Sequence, residues 1–351
     1  MSNIYKDLAD ALNKLPNGFP GTETGSDLRL LEFMYSEKEA ELASKLTGNW
    51  ETADDIALRL NKLTKEALSG LFSLAREGKV WMDRSAGKTK FRLAPFIVGS
   101  YEAQVDHMNE KMALLAEEYL HDGGAEGIMK PQPAVHRVVP VVETSDLEWI
   151  LPYDNVIAIL ENAQSFHVQD CICRKQKEAL GEECDAPKHN CLSFSAVKRE
   201  MKPGDITKKE AIELLKESED AALVHSVSNV INGINYICNC CGCCCGVLRV
   251  ITEWGIENSM ARSNYEAIVK TEDCIGCELC LERCQVSAIT MVDGIAVIDR
   301  NKCLGCGLCG TTCAAEAIEL ISRPEEEQIA PPENFGEWEK QRLSNRNIIN
   351  E

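Results

Sequence analysis

Two self-similar cysteine runs constrain this chain more than any other feature. Cys274-Ile-Gly-Cys277-Glu-Leu-Cys280-Leu-Glu-Arg-Cys284 recurs 29 residues later as Cys303-Leu-Gly-Cys306-Gly-Leu-Cys309-Gly-Thr-Thr-Cys313, each with the spacing C-x2-C-x2-C-x3-C. Soft thiolates in fours select iron–sulfur or zinc, and the tripled, duplicated spacing favours iron–sulfur. The chain has 18 cysteines in all. Its opening residues, Met1-Ser-Asn-Ile-Tyr-Lys-Asp-Leu8, lack the basic-then-apolar order of a secretory leader, and no apolar stretch is long enough to span a membrane. The expectation is a cytoplasmic protein whose thiols bind metal rather than pair as disulfides.

The organisation predicted along the 351 residues is α+β and multi-domain. Residues 1–98 hold no cysteine and read as helices closed by a hairpin. Ser36 with Glu39 and Thr52 with Asp55 are capping boxes, and Thr64 precedes a helix carrying Ala67, Leu68, Leu71, Leu74 and Ala75 on one face. Strands Val80–Asp83 and Thr89–Leu93 flank a turn at 84–88. Residues 99–165 read as a helical connector, with a helix over 102–121, a Pro- and Val-rich linker over 130–142 and a helix over 154–165. Residues 166–260 form a cysteine-rich module containing a helix capped by Thr207 and Glu210. Residues 264–322 carry the two runs, and 323–351 show no period and read as an extended tail.

Over about sixty residues the runs closely resemble the bacterial-type two-cluster ferredoxin domain. The resemblance implies two 4Fe-4S clusters, one on Cys274, Cys277, Cys280 and Cys313, the other on Cys303, Cys306, Cys309 and Cys284. The Pro that usually follows the fourth cysteine is replaced by Gln285 and Ala314. Ile275, Leu279, Leu304 and Leu308 sit between ligands and are expected to shield the sulfurs from water. The helix, helix, helix, hairpin order of residues 1–98 resembles the winged-helix superfamily.

Ten further cysteines fall in the middle: Cys171, Cys173, Cys184 and Cys191, then Cys238, Cys240, Cys241, Cys243, Cys244 and Cys245. Side chains of adjacent cysteines diverge, so sharing between the two bunches is easier than closing one cluster on the second bunch alone. One or two further 4Fe-4S clusters are expected, two leaving two thiols spare. Alternatives are a zinc site on Cys171, Cys173, Cys184 and His189 or Cys191, and disulfides within 240–245. The pattern resembles iron–sulfur proteins of anaerobes, and Cys240-Cys241-Gly is similar to the motif of heterodisulfide-reductase-type subunits, without its long flanking spacings. Arg174 is the candidate hydrogen-bond donor to cluster sulfur. His167 and His225 read as structural.

A formal charge of −19 argues against a general affinity for nucleic acid or acidic membranes and fits a partner with a basic docking face. The function expected is single-electron relay through several clusters to or from an oxidoreductase partner. The alternatives are a redox- or iron-sensing regulator touching DNA through residues 52–92, and a catalytic reductase using the Cys238–Cys245 loop. Between Asp55 and Arg92 nine basic residues stand against four acidic ones, with Arg84, Lys88, Lys90 and Arg92 on the hairpin.

Overall fold

The computed structural model describes residues 3–84, 87–143 and 149–348, so Ser85 and Ala86 of the hairpin turn lie outside it. The chain belongs to the mixed helix-and-strand class and divides into two compact units. The first comprises Met1–Pro131, Lys175–Glu182 and Arg342–Glu351, the second Gln132–Arg174 and Glu183–Gln341. Every cysteine is in the second.

The first unit begins with α1 (Ile4–Asn13), α2 (Ser26–Met34), α3 (Glu37–Ala43), α4 (Ala53–Leu60) and α5 (Thr64–Arg76). Both capping boxes close here, Ser36 with Glu39 and Thr52 with Asp55. Strands β1 (Glu51–Thr52), β2 (Val80–Asp83) and β3 (Lys90–Leu93) form a sheet in the order β1-β3-β2. The predicted helix over 102–121 is broken: a 3-10 turn at Glu102–His107 precedes α6 (Glu110–Tyr119), whose start Asn109 caps by accepting from the Met112 N–H at 3.1 Å. A short α7 (Ala125–Met129) follows.

The expected linker at 130–142 is instead core. His136–Val138 form β4, the register partner of β8 (Val224–Ser228), and Val138 and Val139 are fully buried. Pro and Val there mark a buried strand, which a short apolar run does not distinguish from a linker. The helix expected over 154–165 is one turn, α8 (Val156–Ile159), and Ser165 opens strand β5 (Ser165–Asp170). Next come α9 (Ile172–Ala179), β6 (His189–Ser195), β7 (Asp205–Ile206), α10 (Lys208–Asp220), β9 (Tyr236–Cys240), α11 (Arg249–Trp254) and β10 (Met260–Ala261). The sheet order is β10-β4-β8-β9-β6-β5-β7, antiparallel except for β10 with β4. Residues alternate across a strand, so Phe166, Val168, Leu192, Phe194, Val227 and Ile237 line one core with Ala211 and Leu215 of α10. Thr207 and Glu210 form the capping box that starts this helix.

The two cysteine runs lie among β11 (Tyr265–Val269), α12 (Leu279–Arg283), β12 (Ile289–Val292), β13 (Ile295–Ile298), α13 (Leu308–Thr311) and β14 (Ile318–Ser322), with β11 paired to β14 and β12 to β13. The tail is not extended throughout: Phe335–Asn345 form α14. Its anchors are single side chains rather than a stripe. Trp338 is buried with its indole N–H on the Ala134 carbonyl at 2.9 Å, and Arg342 is buried with its guanidinium on the Pro16 carbonyl at 2.8 Å.

Candidate metal centres

The 29-residue duplication persists in the backbone. Left-handed φ recurs at Gly276 and Gly305 (70° and 72°), at Glu278 and Gly307 (65° and 82°), and at Ser287 and Glu316 (both 51°). These turns curl each run so that successive cysteines face one hollow. The glycines at 276 and 305 also allow close approach, because a Cβ would stand 2.5 Å from the Gly294 carbonyl oxygen and 2.2 Å from that of Tyr265.

The two hollows sort the cysteines crosswise. One is lined by Cys274, Cys277, Cys280 and Cys313, the other by Cys284, Cys303, Cys306 and Cys309. Backbone N–H groups of Ala296 and Gly276 donate to the Cys274 sulfur and hold its pKa below the usual thiol value. The Ala288 N–H donates to Cys284 Sγ at 3.1 Å. In the second hollow, burial pushes the Cys306 thiol up to about 12 and Cys309 up as well. Thiols so placed ionise only opposite a cation.

The hollows differ in exposure. Leu304 and Leu308 are buried, as expected of residues shielding sulfur, whereas Ile275 and Leu279 are 71% and 46% exposed and Cys277 is exposed too. The expected shielding by Ile275 and Leu279 is therefore absent. Arg283 and Arg323 stand beside the second hollow: Arg323 donates to the Cys303 carbonyl at 3.0 Å, and Arg283 donates to the carbonyls of Asp220 and Glu219 at 2.6 Å. Burial lowers both pKa values.

The middle cysteines regroup across their two bunches. Cys184 leaves Cys171 and Cys173 and joins Cys241, Cys243 and Cys244, all four sulfurs within 4.8 Å of one another. This cysteine cluster can hold a metal. Elsewhere thiol contacts run from Cys171 to Cys173, Cys245, Cys240, Cys238 and Cys191 in turn. Adjacent cysteines diverge at 240/241 and 244/245, as expected, but Cys243 and Cys244 converge with sulfurs 3.7 Å apart. The zinc set read from sequence is not the group that forms, since Cys184 gathers with Cys241, Cys243 and Cys244 and the His189 ring pairs with Asp170 at 2.9 Å.

Arg174, two residues into α9, is buried between these groups. It donates to Asn190 Oδ1 at 2.8 Å and to the Asn239 carbonyl at 2.7 Å, and its buried Nε has no partner. Burial works to lower its pKa, but Cys171, Cys241 and Cys240 outweigh it and hold the guanidinium charged. The Thr312 hydroxyl, beside Cys313, is likewise buried without a partner. Buried donors are nearly always satisfied, so orphans next to thiols suit sulfur acceptors of an inorganic group. The histidines expected to be structural have protein partners: His225 bridges Asn239 and Glu219 at 2.7 and 2.8 Å, and His167 meets Asp205 at 2.9 Å.

Gln285, which stands where the resemblance implies proline, has a contact of its own. Gln285 Oε1 accepts from the Gly242 N–H at 2.7 Å, and a Cβ on Gly242 would stand 2.3 Å from the Gln285 carbonyl oxygen. The cysteine-rich turn at 241–244 thus rests directly on the backbone that follows a cysteine of the second hollow.

Several basic residues of the 52–92 segment are already engaged. The Arg92 guanidinium stacks between Trp50 and Trp81 at 4.8 and 4.7 Å, Arg59 pairs with Glu51 at 2.7 Å, and buried Lys79 lies between Glu39 and Glu77. No described helix is long and apolar enough to cross a membrane. Compared with protein-family models, with curated proteins and with solved structures, the chain matches none.

Proposed function

We propose that this chain is an iron–sulfur electron-transfer protein that relays single electrons through several 4Fe-4S clusters to or from an oxidoreductase partner. The observation that carries it is the pair of hollows, each lined by four cysteines in the crossed combination characteristic of two-cluster ferredoxin domains. Cys274, Cys277, Cys280 and Cys313 would hold one cluster, and Cys284, Cys303, Cys306 and Cys309 the other. Four of Cys171, Cys173, Cys191, Cys238, Cys240 and Cys245 would hold a third, leaving two thiols spare. When bound, the clusters supply reversible one-electron chemistry.

The protein's own part is to set exposure, charge and hydrogen bonding. Exposed Cys277, with Ile275 and Leu279 around it, makes the first hollow the end nearest solvent and the natural point of exchange with a partner. Leu304 and Leu308 keep water from the second, and Arg283 and Arg323 add positive charge beside it. Positive charge favours the reduced state while exclusion of water disfavours it, so Arg283 and Arg323 raise the potential of the second site above what its burial alone would set. Arg174 would act likewise at the third site through its unpartnered Nε. The stacking of Arg92 and the pairing of Arg59 and Lys79 favour this reading over phosphate contact by the 52–92 segment.

The test is iron and acid-labile sulfide content of protein purified without oxygen, with electron paramagnetic resonance of the dithionite-reduced sample. Three cubanes predict about twelve of each per chain and interacting reduced signals. About eight would confine the relay to the two crossed sets. Bound iron that no reductant can reach would end the proposal.

A further inference from the structure

Cys184, Cys241, Cys243 and Cys244 differ in kind from the crossed sets. Their sulfurs are 4.0 Å apart for Cys184 and Cys241, 3.5 Å for Cys184 and Cys244, and 3.7 Å for Cys243 and Cys244. A single ion with four thiolates at about 2.3 Å has a tetrahedral edge of about 3.8 Å, which these separations bracket. In a cubane each thiolate is bonded to a different iron, so the width of the whole cluster holds the four sulfurs farther apart. The crossed sets surround hollows in that way. Among the described residues, the 184/241/243/244 group is the one whose ligand atoms gather within a single ion's reach.

We propose that these four cysteines bind one zinc ion in a closed tetrathiolate tetrahedron rather than a further iron–sulfur cluster. The surroundings suit that role. Leu223, Ala221 and Ala186 pack against Cys184, Cys241 and Cys244, an apolar seat under three of the four ligands, with Cys243 closing the group from the surface. Cys184 lies in the irregular stretch between α9 and β6, which the ion would tie to the turn after β9. Four thiolates on one divalent ion leave a double negative charge, and the charged Arg174 guanidinium stands beside Cys241 to offset it. Zinc has no redox chemistry, so this site braces the fold next to the relay without joining it. The inference does not depend on the electron-transfer reading.

The experiment uses the full chain, produced without oxygen with iron and zinc both supplied. The expected result is about one zinc per chain, with zinc-edge X-ray absorption fitting four sulfurs near 2.3 Å. Cys244→Ser should lower the zinc content more than tenfold while iron and sulfide stay unchanged. Absence of zinc from the native protein overturns the proposal. So does a Cys244→Ser protein that loses about four iron and four sulfide, or one that loses a single iron and no sulfide. The absorption measurement on the unaltered chain decides the matter if that variant fails to fold. Zinc in place in a protein that takes up no iron would remove the electron-transfer reading and leave this one standing.

Discussion

Glu278 occupies the position where the second run has Gly307, and both adopt left-handed φ, at 65° and 82°. A side chain in that conformation costs about 1–2 kcal/mol, partly offset because glycine loses more entropy on folding. Glu278→Gly is therefore expected to stabilise the metal-loaded protein by about 0.5–1 kcal/mol, read as a higher thermal midpoint. A lower midpoint would mean that the Glu278 side chain makes a contact worth more than the strain. His136 is the second isolated case. It is buried on β4 with neither ring nitrogen bonded, and burial lowers its pKa from 6.5 to about 4. The unfolded chain takes a proton near 6.5 that the folded chain refuses until about 4. Its contribution to stability is thus full above 6.5 and is lost as pH falls through that window, at about 1.4 kcal/mol per unit. Asp154, raised to about 6 mainly by burial, has the opposite dependence, stabilising as pH falls, so the bare pH profile mixes the two. His136→Phe separates them: between pH 7.5 and 5 the variant should gain about 2 kcal/mol on the native protein in denaturant unfolding. A constant gap would show that His136 protonates freely in the fold.

Helix α9 places Arg174 against the middle thiols through one fixed turn. Arg174→Met keeps the bulk and removes the charge together with hydrogen bonds to Asn190 and Asn239, which charged donors make worth about 1.5–3 kcal/mol each at most. The expected outcome is a lower thermal midpoint and a more negative potential for one reductive step, the other steps holding still. Equal displacement of every step would assign the effect to a general loosening. Legibility followed the range of the interactions at the level of elements. Helices whose start is written locally, as at Ser36, Thr52 and Thr207, could be read from sequence because both partners of the capping box lie within four residues. The crossed grouping of Cys284 and Cys313 was legible only through resemblance. Strand β4 was missed because its partner β8 lies nearly ninety residues away, and α14 because what holds it is the burial of Trp338 and Arg342, not a periodic face. The exchange of Cys184 out of the first bunch carried no local signal at all, since it depends on how the turn after Cys240 folds.

Across the whole chain, every cysteine lies in one compact unit, and the other holds an apolar core of its own around Leu8, Leu12, Phe19, Leu30, Ile56, Leu71 and Phe91. The cysteine-bearing unit, beside the core of its large sheet, buries thiols such as Cys240, Cys241, Cys244, Cys280, Cys303 and Cys309. With metal present those sulfurs are bonded and their charge is balanced; without it they are weakly cohesive, and the hollows beside them have nothing to pack against. Ligand that binds only the folded state adds its binding free energy to stability, so removing it should loosen the segments whose shape it enforces. Stripping the protein with chelator and reductant, then following amide hydrogen exchange, should therefore raise exchange sharply in residues 238–245, 274–284 and 303–313 and in the paired strands β11 and β14. Helices α1–α5, with no cysteine and with buried apolar side chains on each, should keep their protection. Uniform loss of protection over the whole chain would show that the metals hold up both units, and unchanged exchange in the two runs would show that the thiol hollows keep their form without any metal.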